Sequence, residues 1–118
     1  MKLSKLVLLS LIALGLLASS SFGAGDAAKG KAFFNDPKAF GGSRSCSLCH
    51  PDGKGLESTG AQKEWSTPGG MTRTLEEAIN FCIVNANKGK ALDVKSAQMA
   101  DVVAYIKSLG KRMEKGKT

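Results

Sequence analysis

The sequence is poor in the residues that bind metals and cross-link chains, with one histidine and three cysteines in 118 residues. A single histidine excludes metal sites that need two, and three cysteines exclude the scaffold of several disulfides found in many small secreted proteins. Charged residues make up only 23% of the chain and hydrophobic residues 42%, which excludes a disordered chain. The length leaves room for one small domain.

Acidic residues are outnumbered, with 10 Asp and Glu against 17 Lys and Arg, but the excess is unevenly placed. Without Lys2 and Lys5 the net charge is +5, and residues 107–117 account for +4 of it. Positive charge confined to one end of the chain, with no recognisable binding module beside it, is weak evidence for nucleic-acid binding. We therefore expect no nucleic-acid partner.

The first 23 residues have the pattern of a secretory signal peptide. Lys2 and Lys5 precede an apolar stretch over residues 6–18, and small residues follow up to Gly23. The stretch is shorter than the roughly 20 residues that span a bilayer, so a retained anchor is the less favoured alternative. The predicted boundaries are a signal peptide over 1–23, a domain over 24–110 and a basic tail over 111–118. We expect the protein to be periplasmic or otherwise exported, with no stable membrane insertion after the signal peptide is cleaved.

The segment Cys46-Ser47-Leu48-Cys49-His50 contains the only histidine. Two thiols at this spacing can bond to the two vinyl groups of a haem, and the histidine that follows can bind the iron. A Cys46–Cys49 disulfide and a zinc site that also uses Cys82 are alternatives. No strand pattern precedes the motif as a thioredoxin-like redox pair requires, and adjacent Cys49 and His50 are awkward tetrahedral partners. The motif therefore predicts covalent haem.

The remainder predicts an all-α fold of about three main helices joined by Gly-rich loops that wrap the haem. Asp26 is the predicted N-cap of a first helix through Phe34. Residues 35–73 contain seven glycines and are predicted to be irregular. Thr74 with Glu77 forms a capping-box pattern, and Ser96 is the third N-cap. An apolar stripe at helical spacing follows each of these two caps. The second helix is predicted to end at Gly89, and its stripe is Leu75, Ala78, Ile79, Cys82 and Ala86. The third is predicted to end at Gly110, and its stripe is Met99, Val102, Val103, Ile106 and Leu109.

Gly30 and Phe34 on the first helix, the haem motif, and Tyr105 on the last helix together resemble class I cytochromes c. The resemblance covers nearly all of residues 24–118. It implies one haem c per chain, attached at Cys46 and Cys49 with His50 as axial ligand, and close contact of the first and last helices at Gly30 and Tyr105. It also implies electron transfer with redox partner proteins of the cell envelope.

The second axial ligand is the point of departure from that family. In class I cytochromes c this ligand is usually a methionine about 16 residues before the aromatic residue of the last helix. Counting back from Tyr105, this chain has Gly89 at that position. The segment around Cys82, with the stretch from Asn87 to Leu92 and Tyr105 beyond it, resembles the haem domains of thiosulfate dehydrogenase and of sulfur-oxidising cytochromes. That resemblance implies Cys82 as the distal ligand. Met71 in a loop, Met99, or an open site are the alternatives.

Two functions follow from these ligands. The first is a periplasmic carrier that moves one electron at a time between redox partners. The second is a haem subunit or enzyme of thiosulfate or sulfur-compound oxidation, in which Cys82 takes part, although the enzymes resembled carry additional haems and the haem motif occurs once here. A gas sensor with an open iron site is a third class. Whether the protein is an enzyme stays open, and the carrier is favoured.

Overall fold

The computed structural model describes residues 25–116. Three α-helices form its frame: α1 (Ala27–Asn35), α2 (Leu75–Asn85) and α3 (Ala97–Lys115). Between α1 and α2 lie three single-turn 3-10 helices, Cys46–Leu48, Pro51–Gly53 and Thr59–Ala61. An antiparallel hairpin follows, with β1 (Trp65–Thr67) and β2 (Gly70–Thr72) in register so that Thr67 pairs with Gly70. The predicted signal peptide lies outside the described residues.

About half of residues 25–116 are helical, so the predicted three-helix frame is confirmed, but the all-α description omits the hairpin. Residues 35–73, predicted to be irregular, contain the 3-10 turns and both strands. The hairpin turn is Pro68-Gly69, which is a turn signal between two short β-prone runs. The sequence therefore contained a signal for this turn, although residues 35–73 were predicted to be irregular.

The predicted N-caps are confirmed by their hydrogen bonds. The Asp26 carboxylate accepts from the amides of Ala28 and Lys29, and the Ser96 hydroxyl accepts from Met99 N–H. Thr74 accepts from Glu77 N–H at 3.1 Å. The capping box is incomplete, because the Glu77 carboxylate accepts from Arg73 N–H and not from Thr74. Each cap satisfies backbone donors that have no partner within their helix.

Two predicted helix ends were wrong. Helix α2 ends at Asn85, four residues before Gly89. Helix α3 continues through Gly110 to Lys115, so residues 111–115 of the predicted basic tail are helical. Basic side chains in the last turn suit the partial negative charge at a helix C-terminus, and Arg112 bonds to the Asp52 carboxylate at 2.8 Å across 60 residues.

The core consists of two clusters of buried side chains that meet along α3. The larger joins α2 to α3 and contains Phe40, Leu75, Ile79, Ile83, Met99, Val102, Val103 and Ile106. The smaller joins α1 to α3 and contains Phe34, Tyr105 and Leu109. All five residues of the predicted α3 stripe are buried. Cys46 packs against both clusters, so the predicted haem-attachment segment lies where they meet.

Helices α1 and α3 pack closely at Gly30, as the resemblance implied. A Cβ at Gly30 would overlap the Asp101 carbonyl and lie 2.9 Å from Tyr105 Cβ. The rings of Phe34 and Tyr105 meet edge to face at 5.1 Å. Among residues 25–116, no helix has the length and apolarity needed to cross a membrane.

We expect Gly30→Ala to lower the free energy of unfolding by about 3 kcal/mol, at the upper end for overpacking, because backbone atoms of α3 must move to admit the methyl group. Urea unfolding followed by circular dichroism measures the change. Gly116→Ala is the control, since a Cβ there makes ordinary contacts from 3.6 Å and should change stability by less than about 0.5 kcal/mol. Equal stability of the two variants would contradict the close helix contact.

Candidate haem site

A cavity of about 340 Å³ opens between the two core clusters. Apolar side chains from all three helices form much of its wall, among them Phe34 from α1, Ile79 from α2 and Ile106 from α3. Trp65, Ser66 and Thr67 of β1 line another part of the wall. The hairpin that the sequence analysis missed therefore contributes directly to the site.

Cys46, Cys49 and His50 all line this cavity. The 3-10 turn over Cys46–Leu48 ends with Cys49 N–H and His50 N–H both donating to the Cys46 carbonyl, which folds the two thiols and the imidazole onto one wall. No disulfide joins any two of the three cysteines. Burial raises the pKa of the Cys46 thiol, and a hydrogen bond from Asn87 partly opposes that rise.

The imidazole of His50 is oriented by one hydrogen bond. Its Nδ1 lies 2.9 Å from the Lys54 carbonyl oxygen, and because a carbonyl can only accept, Nδ1 carries the proton. Nε2 then keeps its lone pair for a metal, as in many histidine ligands whose other nitrogen bonds a backbone carbonyl. The Lys54 carbonyl is presented by a turn through Gly53 and Gly55, which have φ of +74° and +91°.

The turn that follows His50 is tied to the end of α3. Arg112 donates to the Asp52 carbonyl at 3.3 Å and to its carboxylate at 2.8 Å. The hydrogen bond and the positive charge of Arg112 hold the pKa of Asp52 below its usual range. Both side chains are well exposed, so the pair restrains the turn more than it stabilises the fold.

Cys82 lies on α2 and also lines the cavity. Cys82 is exposed, because it faces the open space of the cavity. Burial nevertheless raises the pKa of the Cys82 thiol, and the sulfurs of Cys46 and Cys49 raise it further. The cavity is lined by the whole predicted α2 stripe, which is Leu75, Ala78, Ile79, Cys82 and Ala86. The helical periodicity therefore identified the face of α2 that forms the wall of the site. Only Leu75 and Ile79 of this stripe belong to the buried core.

Neither methionine alternative lines the cavity. Met71 is on β2 and is 62% exposed, whereas Met99 is fully buried in the larger cluster. The zinc alternative also lacks support, because residues 25–116 hold no group of three or more His, Cys, Asp and Glu side chains arranged to bind a metal ion. The identity of the distal ligand stays a prediction.

Asn87 is a further site residue, to which the sequence analysis gave no role of its own. It lines the cavity, is buried, and donates from Nδ2 to Cys46 Sγ at 3.3 Å. No local pattern marks it, because its contact spans 41 residues and depends on how α2 packs against the attachment segment.

The residues present fit a haem. The cavity is apolar, and its wall carries two thiols at vinyl spacing beside an imidazole whose protonation leaves a nitrogen free for iron. A flat apolar group in this space would touch side chains of both clusters.

A family model described as SoxA/TsdA, cytochrome c domain, matches residues 29–114, well over half of the chain. We found no significant match among curated proteins or among solved structures. Cytochrome c domains of this kind bind haem c covalently and transfer electrons to and from redox partner proteins. With one attachment motif in its sequence, the chain belongs to the SoxA/TsdA cytochrome c domain family and is a single-haem cytochrome c.

Proposed function

We propose that this cytochrome is an exported carrier that moves one electron at a time between redox proteins of the cell envelope. Cys46 and Cys49 attach the haem, and His50 and Cys82 bind its iron. The observation that carries the proposal is that these four side chains line one apolar cavity. Export is supported by Lys2 and Lys5 followed by the apolar residues 6–18.

The haem supplies a one-electron iron couple, and the chain sets its potential and access. The Lys54 carbonyl keeps the proton of His50 on Nδ1, which would leave the lone pair of Nε2 available to bind the iron. Apolar side chains of α1, α2 and α3 line the cavity and would displace water from a haem bound there, which would strengthen the effect of nearby charges and dipoles. Thioether bonds at two positions keep the haem in a shallow site.

Cys82 is favoured as distal ligand because it faces the cavity, whereas Met71 and Met99 do not. A thiolate brings a negative charge to the iron and stabilises the ferric state, whereas a methionine thioether raises the reduction potential. We therefore propose a low-potential haem.

Replacing Cys82 with alanine tests the ligand. We expect Cys82→Ala to change the absorption spectrum and to raise the reduction potential by more than the ~59 mV of a tenfold change in a one-electron equilibrium. Spectroelectrochemical titration measures both. Met71→Leu is the control and should leave both unchanged, since this side chain is exposed on β2. Unchanged values in Cys82→Ala remove Cys82 from the iron, and a shift in Met71→Leu instead would assign Met71.

The role of the Lys54 carbonyl is tested by Gly55→Ala. The φ of +91° at Gly55 disfavours alanine, and relief of that strain turns the peptide plane that carries the carbonyl bonded to His50. We expect a loss of about 1–2 kcal/mol in stability together with a changed reduction potential. Gly41→Ala is the matched control, with φ of +73° and open space for a Cβ. It should lose similar stability and keep its potential, and an equal shift in both variants would refute the assignment.

The sulfur-oxidising alternative is tested by turnover. A carrier with one haem and a ligated iron offers thiosulfate no open coordination position, so we expect purified protein to reduce no ferricyanide when thiosulfate is added. The loss of ferricyanide absorbance over time measures the reaction. Thiosulfate-dependent turnover that disappears in Cys82→Ala would favour the enzyme over the carrier.

A further inference from the structure

Asn87 is a polar residue in an apolar part of the molecule, where it is 4% exposed. Amide side chains are seldom buried, and burial of one is costly unless it finds hydrogen-bond partners. It lies just beyond the end of α2, at the rim where this helix meets the haem-attachment segment. A role in solubility does not explain an asparagine at this buried position.

The side-chain partner of Asn87 is a sulfur atom. Its Nδ2 donates to Cys46 Sγ at 3.3 Å. Sulfur is a weak acceptor, so this bond contributes less to folding than one to a carbonyl oxygen would. What the bond does provide is direction, because it points the positive end of the amide dipole at the sulfur.

The backbone of Asn87 bonds both to α2 and to the segment that precedes the predicted attachment motif. Its N–H donates to the Cys82 carbonyl at 3.0 Å, and its carbonyl accepts from Ser43 N–H at 3.0 Å. The approach is so close that a Cβ at Gly42 would overlap the Asn87 carbonyl. The Asn87 amide is thus held at a fixed position relative to Cys46 by bonds that do not depend on its own side chain.

We propose that Asn87 is a positioning residue that holds the Cys46 sulfur in place and raises the reduction potential of the haem attached to it. This inference rests on the proposed function, in which Cys46 carries the haem. No such role follows from the attachment motif alone, since Asn87 lies 41 residues away from it.

The direction of the effect follows from electrostatics. Ferrous haem carries one more electron than ferric haem, so a positive dipole end at the sulfur that would carry the haem favours the reduced state. In a dry, apolar wall such a dipole is poorly screened and acts more strongly than it would in water. Loss of the Asn87 N–H groups should therefore lower the potential.

The test uses the haem-loaded protein with Asn87→Leu and Asn87→Ala, which remove the donor with and without a similar volume. We expect each variant to shift the equilibrium with a fixed redox mediator at least threefold toward the oxidised form, which is about 28 mV for a one-electron couple. Two variants guard against failure of either one to fold. Intact mass confirms that each sample carries haem.

Asn80→Leu is the matched control. Asn80 lies on α2, exchanges two hydrogen bonds of 2.8 Å with the backbone of Leu92, and does not line the cavity. It should lower the melting temperature without moving the potential, as a purely structural asparagine would. Haem-loaded Asn87 variants with unchanged potentials, or an equal shift in Asn80→Leu, would overturn the inference alone. A wild-type chain without covalent haem would overturn the proposed function as well.

Discussion

Contact between apolar side chains and one large apolar group is the interaction on which this small domain depends. Its two clusters of buried residues share α3 but leave a cavity of about 340 Å³ between them. A chain of this size buries only a modest fraction of its surface, so a gap of that volume is a large fraction of its core. A haem bound in this gap would fill it with apolar porphyrin, and covalent attachment would keep it there.

The remaining structure is arranged around that gap. Helices α1 and α3 pack so closely at Gly30 that they form a fixed support, and the attachment segment packs against both clusters through Cys46. Helix α2 closes the cavity with the face that carries Cys82, and the hairpin adds Trp65 to the wall. Asn87 bonds to the Cys46 sulfur and to the backbones of Ser43 and Cys82, which links the predicted haem-attachment segment to α2.

Sequence reasoning recovered the features that depend on local chemistry. The N-caps at Asp26, Thr74 and Ser96 were predictable because each cap needs one side chain next to one helix. The haem was predictable because the spacing of its predicted attachment motif is local. The parts that were missed or wrong depend on distant contacts or on competing weak signals. Helix α3 continues past Gly110, where Arg112 bonds to Asp52, a contact across 60 residues that no local pattern predicts. Asn87 could be assigned to the site only once its contact with Cys46, 41 residues away, was known.

The intact mass of the exported wild-type protein, produced together with a working haem-attachment system, tests the central claim most directly. Digestion then locates any added mass on the peptides. The account predicts a chain heavier by one haem, with the addition on the peptide that contains Cys46 and Cys49 and with visible absorption to match. A colourless protein of unmodified mass, or haem carried on any other peptide, would contradict it.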